Sequence, residues 1–294
     1  MHKPDGPHPA CSPPPAKQRA PGRIKIPPGA VDTHCHVIGA PPEYPYVAQR
    51  SYTPEPASAG AYTAMLDAMG MTYGVLVQVS VHGTDNRLLL EALRAHPKRL
   101  RGIAVAPLGL SGRAYEDLKA AGVVGLRLNV LFGGGIGVDD IEAYGALAAD
   151  LGWHLQFLID GDTLCANARR IADLKCPVVI DHMGYVPTDR GVNDPGFQTL
   201  VSLVRDGGWV KLSGAYRTSI SGPPYADTIA FAAALIAAAP DRCVWGSDWP
   251  HVSHWGQMMQ VADLLDLLGD WAPAEAARHK ILVKNPAALY GFDP

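Results

Sequence analysis

The chain has 294 residues, of which 48% are hydrophobic and 18% charged, and its formal net charge at pH 7 is −3. That length and apolar content can bury a large core. The negative net charge and the lack of a long basic run argue against a nucleic-acid partner. No apolar run is long enough to span a bilayer, so no membrane partner is expected.

The five cysteines lie far apart and form no CxxC pair. An odd and scattered set is typical of a reduced protein rather than of a disulfide-linked scaffold. The first residues also lack the apolar segment of a secretory signal. The sequence therefore predicts a cytoplasmic protein.

Residues 1–29 form a Pro-rich arm, MHKPDGPHPACSPPPAKQRAPGRIKIPPG. Proline fixes φ and removes a backbone donor, so a segment this rich in proline cannot build a helix. We expect an arm that is partly disordered or lies along the following domain or a neighbouring subunit.

Beyond the arm, short apolar runs alternate with helical patterns, which predicts one domain over residues 30–294. Strands that alternate with helices imply a parallel sheet with right-handed crossovers. Eight repeats predict a single α/β domain folded as a (β/α)8 TIM barrel, with an open doubly wound sheet as the alternative. The candidate strands are 30–35, 74–79, 100–106, 124–129, 153–159, 177–181, 209–213 and 242–247.

Seven helical patterns separate these strands, and an eighth helical segment closes the chain. No GxGxxG motif follows the first strand, which disfavours a dinucleotide-binding sheet. The predicted helices are 60–69, 85–96, 112–121, 139–151, 162–174, 194–206, 226–239 and 272–290.

Histidines and a carboxylate follow three of the predicted strands, where barrel enzymes place their catalytic residues. His34 and His36 at the end of the first strand share one face, because alternate residues of a strand point the same way. His182 follows the sixth strand and Asp248 the eighth. A single histidine such as His182 is more often a core residue than a ligand, and a single aspartate such as Asp248 could equally be the N-cap of the next helix. Their convergence at one barrel mouth indicates a hydrolytic site.

Three motifs resemble the amidohydrolase superfamily, in the branch that contains 2-pyrone-4,6-dicarboxylate lactonase and sulfomuconolactone hydrolases. They are VDTHCH at 31–36, DHMG at 181–184 and GSDWPH at 246–251. The resemblance runs from about residue 29 to the C-terminus and implies a barrel hydrolase that opens a carboxylated, acidic lactone from aromatic or sugar-acid breakdown. Four more motifs agree in order: RSYTP at 50–54, QVSVHGTDN at 78–86, GLRLN at 125–129 and LSGAYR at 212–217.

The same resemblance assigns the catalytic roles. Asp248 is implied to be the general base that deprotonates water, while His34, His36 and His182 polarise the lactone carbonyl or hold a metal. The four side chains suit one divalent ion, with zinc expected. The alternative is a metal-free site in which the histidines stabilise the oxyanion.

Substrate binding is implied for Arg127 and Arg217, with Tyr52 and Ser80 as hydrogen-bonding neighbours. A guanidinium grips a carboxylate through two charge-assisted hydrogen bonds, which suits an acidic lactone. The structural alternatives are a barrel-wall salt bridge for Arg127, a solvated loop charge for Arg217, and packing of the barrel mouth for Tyr52 and Ser80.

Two departures from the family pattern restrict the chemistry. Gly133 stands near the place of a second arginine in the lactonase, so one anion clamp is missing and pyrone dicarboxylate itself is disfavoured as substrate. Binuclear relatives carry a lysine or glutamate on strand four and a histidine on strand five. Here those places hold Arg127 and Gln156, and a cationic arginine disfavours a two-metal site.

Two other functions compete with lactone hydrolysis. One is a metal-dependent decarboxylase of an aromatic or unsaturated acid, but its sister branch usually carries an ExH motif where this chain has His34. The other is a barrel that binds a ligand without catalysis, which is disfavoured because Asp248 and both first-strand histidines are present. A homo-oligomer is left open.

Overall fold

The computed structural model describes residues 6–293, so residues 1–5 of the predicted arm and residue 294 of the predicted domain lie outside the described residues. Eight parallel strands follow one another around one sheet in chain order. Each predicted strand is present, with bounds that differ by at most two residues. They are β1 Val31–Cys35, β2 Tyr73–Val77, β3 Leu100–Ala104, β4 Val123–Asn129, β5 His154–Leu158, β6 Val178–Ile180, β7 Trp209–Leu212 and β8 Cys243–Trp245.

The sheet closes between β1 and the chain around the end of β8. Thr33 Oγ1 donates to the Trp245 carbonyl at 2.8 Å, and a parallel bridge pairs Cys35 with Trp249. These contacts join the first and last strands. The prediction of a (β/α)8 TIM barrel is confirmed, and the open doubly wound sheet is wrong.

Helices surround the barrel, and each of the first seven predicted ones begins and ends within three residues of its expected bounds. The helix at 261–271 was not predicted, and the segment predicted at 272–290 divides into two α-helices around a π-helical turn. Within residues 6–293 no helix combines the length and apolar character needed to cross a bilayer. The helices are α1 Ala59–Met69, α2 Arg87–Ala95, α3 Gly112–Ala120, α4 Ile141–Leu151, α5 Gly161–Ala172, α6 Pro195–Arg205, α7 Ala215–Thr218, α8 Ile229–Ala238, α9 Val261–Trp271, α10 Glu275–His279 and α11 Asn285–Tyr290.

Helix α6 shows how local sequence sets these elements. The Asp194 carboxylate caps its N-terminus by accepting from the backbone of Gly196 at 2.8 Å and of Phe197 at 3.2 Å. Pro195 stands at the first helical position, where no backbone donor is needed. The Phe197 and Leu200 side chains are fully buried in the main core. Capping and an apolar face together therefore specify both the start and the orientation of the helix.

The described part of the arm lies along the barrel. Its first part pairs with the loop after β1, since Thr53 N donates to Pro9 O at 2.9 Å and Cys11 N donates to Thr53 O at 2.8 Å. Ser12 N donates to the His254 carbonyl at 3.1 Å in the loop after β8. The arm thus joins two loops at the mouth of the barrel.

The second part of the arm is held by helix α9. The Asp266 carboxylate accepts from the backbone of Gly22 at 2.9 Å and of Arg23 at 2.7 Å. Arg23 also pairs with Asp270 at 2.5 Å on the exposed side of the helix. Asp266 is itself buried, so its contacts with the arm are shielded from solvent.

We expect Asp266→Asn to lower the free energy of unfolding by about 1–3 kcal/mol. The asparagine NH₂ group replaces one of the two carboxylate oxygens and then faces a backbone N–H, so one hydrogen bond to the arm is lost. Asp263→Asn is the matched control, since Asp263 pairs with Arg19 in an exposed salt bridge. The control should lose no more than about 1 kcal/mol. Urea unfolding of both variants measures the difference, and equal losses would show that Asp266 does not hold the arm.

Candidate active site

The closure of the barrel places Asp248 beside the histidines of the first strand. Asp248 N donates to the His34 carbonyl at 2.7 Å, and His36 N donates to the Trp249 carbonyl at 2.8 Å. The approach requires a glycine at 246, because a Cβ there would lie 2.6 Å from the Cβ of His34. As a result, Asp248 Oδ1 lies 3.8 Å from His34 Nε2 and 3.5 Å from His36 Nε2.

His182 approaches the same carboxylate from the end of β6. Its Nε2 lies 3.8 Å from Asp248 Oδ2, and its Nδ1 lies 2.8 Å from the Ser213 hydroxyl. Both His182 and Asp248 adopt positive φ, at 50° and 60°. Such backbone costs about 1–3 kcal/mol per residue and persists where surrounding structure enforces it. The structure therefore brings together His34, His36, His182 and Asp248, all buried at the barrel mouth.

Two imidazole nitrogens and one carboxylate oxygen converge at this point. His36 Nδ1 lies 2.7 Å from the Val77 carbonyl, so Nδ1 carries the proton and Nε2 presents its lone pair toward Asp248. His34 Nε2 and Asp248 Oδ1 are buried and have no hydrogen-bond partner among the described residues. Two imidazole nitrogens and a carboxylate oxygen without a donor suit a divalent cation.

The histidine and aspartate ligand atoms form two overlapping groups, each within 4.8 Å, rather than one set of four. The first group contains His34, His36 and Asp248. The second contains His34, Asp181 and His182, so His182 is grouped with Asp181 rather than with His36. His34 is common to both groups and stands at the centre of the cluster.

Arg217 and Tyr216 cover the outer oxygen of Asp248. Helix α7 directs Arg217 Nε and the Tyr216 hydroxyl to Asp248 Oδ2, each at 2.6 Å, and Arg217 Nη2 donates to the Val252 carbonyl at 2.9 Å. Arg217 is only 4% exposed, so it is not a solvated loop charge. Burial by itself raises the pKa of Asp248, but Arg217 and the neighbouring histidines outweigh it and hold the pKa well below the usual value.

A second polar network lies deeper in the barrel, around Asp181. Its Oδ2 accepts from Arg127 Nε at 3.2 Å and Nη2 at 3.0 Å, and from Gln156 Nε2 at 3.0 Å. Lys211 Nζ donates to Gln156 Oε1 at 2.7 Å and to the Thr33 carbonyl at 2.9 Å. Arg127 thus forms the barrel-wall salt bridge that the sequence left open as an alternative.

Burial keeps His34 and His182 neutral. It lowers the pKa of His34 well below the ordinary value and that of His182 to about 4. It also lowers the pKa of Lys211 to about 8, although contact with Asp181 opposes this. Neutral imidazoles can donate lone pairs to a cation, whereas stabilisation of an oxyanion would require them to donate N–H groups.

Tyr52 and Ser80 meet each other at the mouth, with 2.9 Å between their hydroxyl oxygens, and both are buried. Gly133 lies nearby and leaves no space for a side chain, because a Cβ there would come within 1.9 Å of the Gln49 carbonyl. Its N–H donates to the Ser51 hydroxyl at 2.9 Å. The local backbone therefore excludes an arginine at position 133.

A cleft of about 300 Å³ lies on the outer side of α7. Tyr216 and Arg217 form part of its wall, so the side chains that cover Asp248 also face the cleft. Residues of the loop after β8 line the opposite side, among them His254 and Trp255.

Several site residues were not predicted from the sequence. Asp181 directly precedes His182 in the DHMG motif, and Tyr216 directly precedes Arg217 in LSGAYR, but neither was given a role. Lys211 had a visible signal, because a charged residue within a short buried strand requires a buried partner.

Comparison with known proteins identifies the family of the chain. A family model for amidohydrolases matches residues 31–292. The chain belongs to the amidohydrolase family. It is 40% identical over 289 residues to a protein from Rhizobium radiobacter named 4-sulfomuconolactone hydrolase, covering 96% of each chain. It is also 31% identical over 274 residues to the D-galactarolactone isomerase of Agrobacterium fabrum, covering 92% of this chain and 93% of the isomerase.

A solved structure shares the fold over most of the chain. The crystal structure of a probable 2-pyrone-4,6-dicarboxylic acid hydrolase from Acinetobacter baumannii, with citric acid bound, superposes with a TM-score of 0.79. It is 29% identical and covers 90% of this chain and 100% of that chain. The predicted membership in the amidohydrolase superfamily, in the branch of these lactone hydrolases, is confirmed.

Proposed function

We propose that this protein is an enzyme that hydrolyses an acidic lactone by attack of an activated water on the ester carbonyl. The observation that carries the proposal is the buried Asp248 Oδ1, which has no donor among the described residues and lies beside two imidazole nitrogens. Relatives named as lactone hydrolases support the substrate class.

Asp248 is the general base of the proposed reaction. Its Oδ1 takes a proton from water as the water oxygen attacks the carbonyl carbon, and the carbonyl oxygen becomes an oxyanion. The ester C–O bond then breaks, and the proton passes from Asp248 to the departing ring oxygen. The direct products are a carboxylic acid and a hydroxyl group, and the acid then releases its proton to solvent as it becomes a carboxylate, so atoms and charge balance.

The low pKa of Asp248 makes it a weak base toward ordinary water. The water must therefore be acidified by its surroundings. We propose one divalent ion, with zinc expected, held by His34, His36 and Asp248, with His182 as the fourth residue of the set. Such an ion lowers the pKa of water and polarises a carbonyl.

Arg127 and Arg217 are the proposed clamps for the anionic group of the substrate. Arg127 and Lys211 contact Asp181 while Arg217 contacts Asp248, so three cations face two carboxylates. The buried Asp32 carboxylate offsets the third positive charge, so the case for an anionic ligand rests on Arg217, which lines the cleft. The backbone at Gly133 excludes a further arginine clamp at that position, which supports a lactone with fewer anionic groups than pyrone dicarboxylate.

A screen of five- and six-membered lactones tests the proposed function. Carboxylated or sulfonated lactones should release acid, measured with a pH indicator, and their neutral counterparts should react slowly. Asp248→Asn should reduce the rate by roughly 10²–10⁴-fold while circular dichroism stays unchanged, because the amide keeps the shape and removes the base. Consumption of a lactone without acid release would indicate isomerisation, and full activity of the variant would exclude Asp248 as the base.

Replacing either proposed clamp should weaken binding of acidic lactones. We expect Arg127→Met and Arg217→Met each to raise KM for an acidic lactone by roughly 10-fold or more, because a charge-assisted hydrogen bond contributes about 1.5–3 kcal/mol. Neutral lactones should be affected less. Arg99→Met, which removes a half-exposed arginine paired with Asp67, is the control and should leave KM unchanged. Equal effects on KM for neutral and acidic substrates would contradict the clamp roles, whereas a lower kcat for every lactone in Arg127→Met would reflect its contact with Asp181.

Elemental analysis tests the metal. Protein purified without chelator should contain one equivalent of zinc, and chelation should abolish activity that zinc or manganese restores. His36→Asn should lose the ion, whereas His96→Asn, which lies before β3 at the other end of the barrel, should retain it. Full activity after chelation, with little metal bound, would favour the metal-free mechanism.

A further inference from the structure

Asp181 contacts His34 on the side away from Asp248. Its Oδ1 lies 3.2 Å from His34 Nδ1, and Lys211 Nζ lies 3.3 Å from the same nitrogen and 3.5 Å from the same oxygen. All three side chains are fully buried. The proposed reaction does not use Asp181 or Lys211, yet burying two charged groups is costly unless they are well paired. This cost suggests that the pair has a role in the site.

Two arrangements of protons on a neutral His34 beside a charged Lys211 fit these distances. In the first, His34 Nδ1–H donates to Asp181 Oδ1, which also receives the remaining N–H of Lys211. In the second, Lys211 donates to a bare His34 Nδ1, and Asp181 Oδ1 faces a nitrogen lone pair at 3.2 Å. Each arrangement fixes the other ring nitrogen, because a neutral imidazole carries one proton.

The first arrangement is favoured because it places a proton between His34 Nδ1 and Asp181 Oδ1, which are 3.2 Å apart, and still leaves Lys211 3.5 Å from that oxygen. Asp181 Oδ1 makes no hydrogen bond of ordinary geometry within residues 6–293, and His34 Nδ1 at 3.2 Å is its nearest possible donor, so the second arrangement leaves a buried carboxylate oxygen opposite a lone pair. Arg127 and Gln156 hold the other oxygen of Asp181 in place. The carboxylate therefore cannot turn away from His34 without losing these bonds.

We propose that Asp181, held by Arg127, Gln156 and Lys211, fixes His34 as the Nδ1–H tautomer. The lone pair of His34 Nε2 then faces Asp248 Oδ1. His36 is set in the same tautomer by a different acceptor, the Val77 carbonyl. Asp181 is a positioning residue, and its importance for turnover rests on the proposed function.

This assignment explains why the first-strand histidines act as a pair. Both imidazoles present an unprotonated Nε2 toward one carboxylate oxygen, and neither can donate there. A proton on His34 Nε2 would instead occupy the position that a cation or a donating water needs. Partners of this kind behind a ligating histidine typically change metal affinity or activity 10–100-fold when removed.

Nitrogen-15 NMR of histidine-labelled, chelator-treated protein tests the proposal without substrate. The His34 signals are assigned by their loss in His34→Asn. The wild type should show a protonated Nδ1 and a bare Nε2. Asp181→Asn should move the proton to Nε2, because the amide oxygen stays with Arg127 and the NH₂ group faces Nδ1. Zinc affinity of that variant, measured by competition with a chelating dye, should fall 10–100-fold.

Lys211→Met is the matched variant from the same network. Because Asp181 remains, its His34 tautomer should match the wild type. If Lys211 is instead the donor to His34 Nδ1, the wild type should show a protonated Nε2, and Lys211→Met should move that proton to Nδ1. This pair of results would overturn the proposal. An unchanged tautomer in Asp181→Asn overturns it as well. Should Asp181→Asn fail to fold, the wild type and Lys211→Met spectra decide alone. Absence of lactone turnover would contradict the proposed function and leave these spectra unaffected.

Discussion

The geometry of the site depends on a buried carboxylate at the closure of the barrel. Asp32 accepts hydrogen bonds from Ser247 N at 2.8 Å, Ser247 Oγ at 2.6 Å, Tyr62 OH at 3.1 Å and His34 N at 3.2 Å. Four donors satisfy the carboxylate, yet burial still raises its pKa to about 6. These bonds tie the end of β1 to the residue before Asp248. The distances between Asp248 and the two histidines follow from this junction.

The buried charges of the site are better explained by function than by stability. Arg127, Lys211 and Asp181 form one group and Arg217 with Asp248 another. Buried ion pairs often contribute little to stability relative to apolar side chains of similar size, because desolvation offsets the attraction. Here the ion pairs keep charged groups in fixed positions around a buried site. Fixed charges of this kind can stabilise the charge that develops during a reaction.

The sequence predicted what depends on local pattern. The strands and most helices follow from apolar periodicity, and His34, His36, His182 and Asp248 follow from their places after strands. Helix α9 was missed although its sequence, VADLLDLLGDW, carries aspartates at helical spacing on one side. That signal was present, and the helix could have been predicted from it.

The contacts of the site could not be predicted, because they depend on register across the barrel. Arg127 and Gln156 are partners in the pairing of β4 with β5, and only this pairing brings both side chains to Asp181. The bond from Arg217 to Asp248 likewise requires α7 to fold back over the mouth. Such partners lie 25 to 54 residues apart in the chain. A local pattern shows which residues reach the mouth and does not show which of them pair.

The pairing of Arg217 with Asp248 links substrate binding to the base in the proposed reaction. Arg217 lies on the wall of the outer cleft, while Asp248 behind it is fully buried. An anionic substrate entering from the cleft meets Arg217 first and competes with Asp248 for the guanidinium. Because that guanidinium is the largest influence lowering the pKa of Asp248, its partial withdrawal makes the carboxylate a stronger base. A neutral lactone would lack this effect, so in the proposed reaction we expect the same arginine both to select for charge and to activate the base.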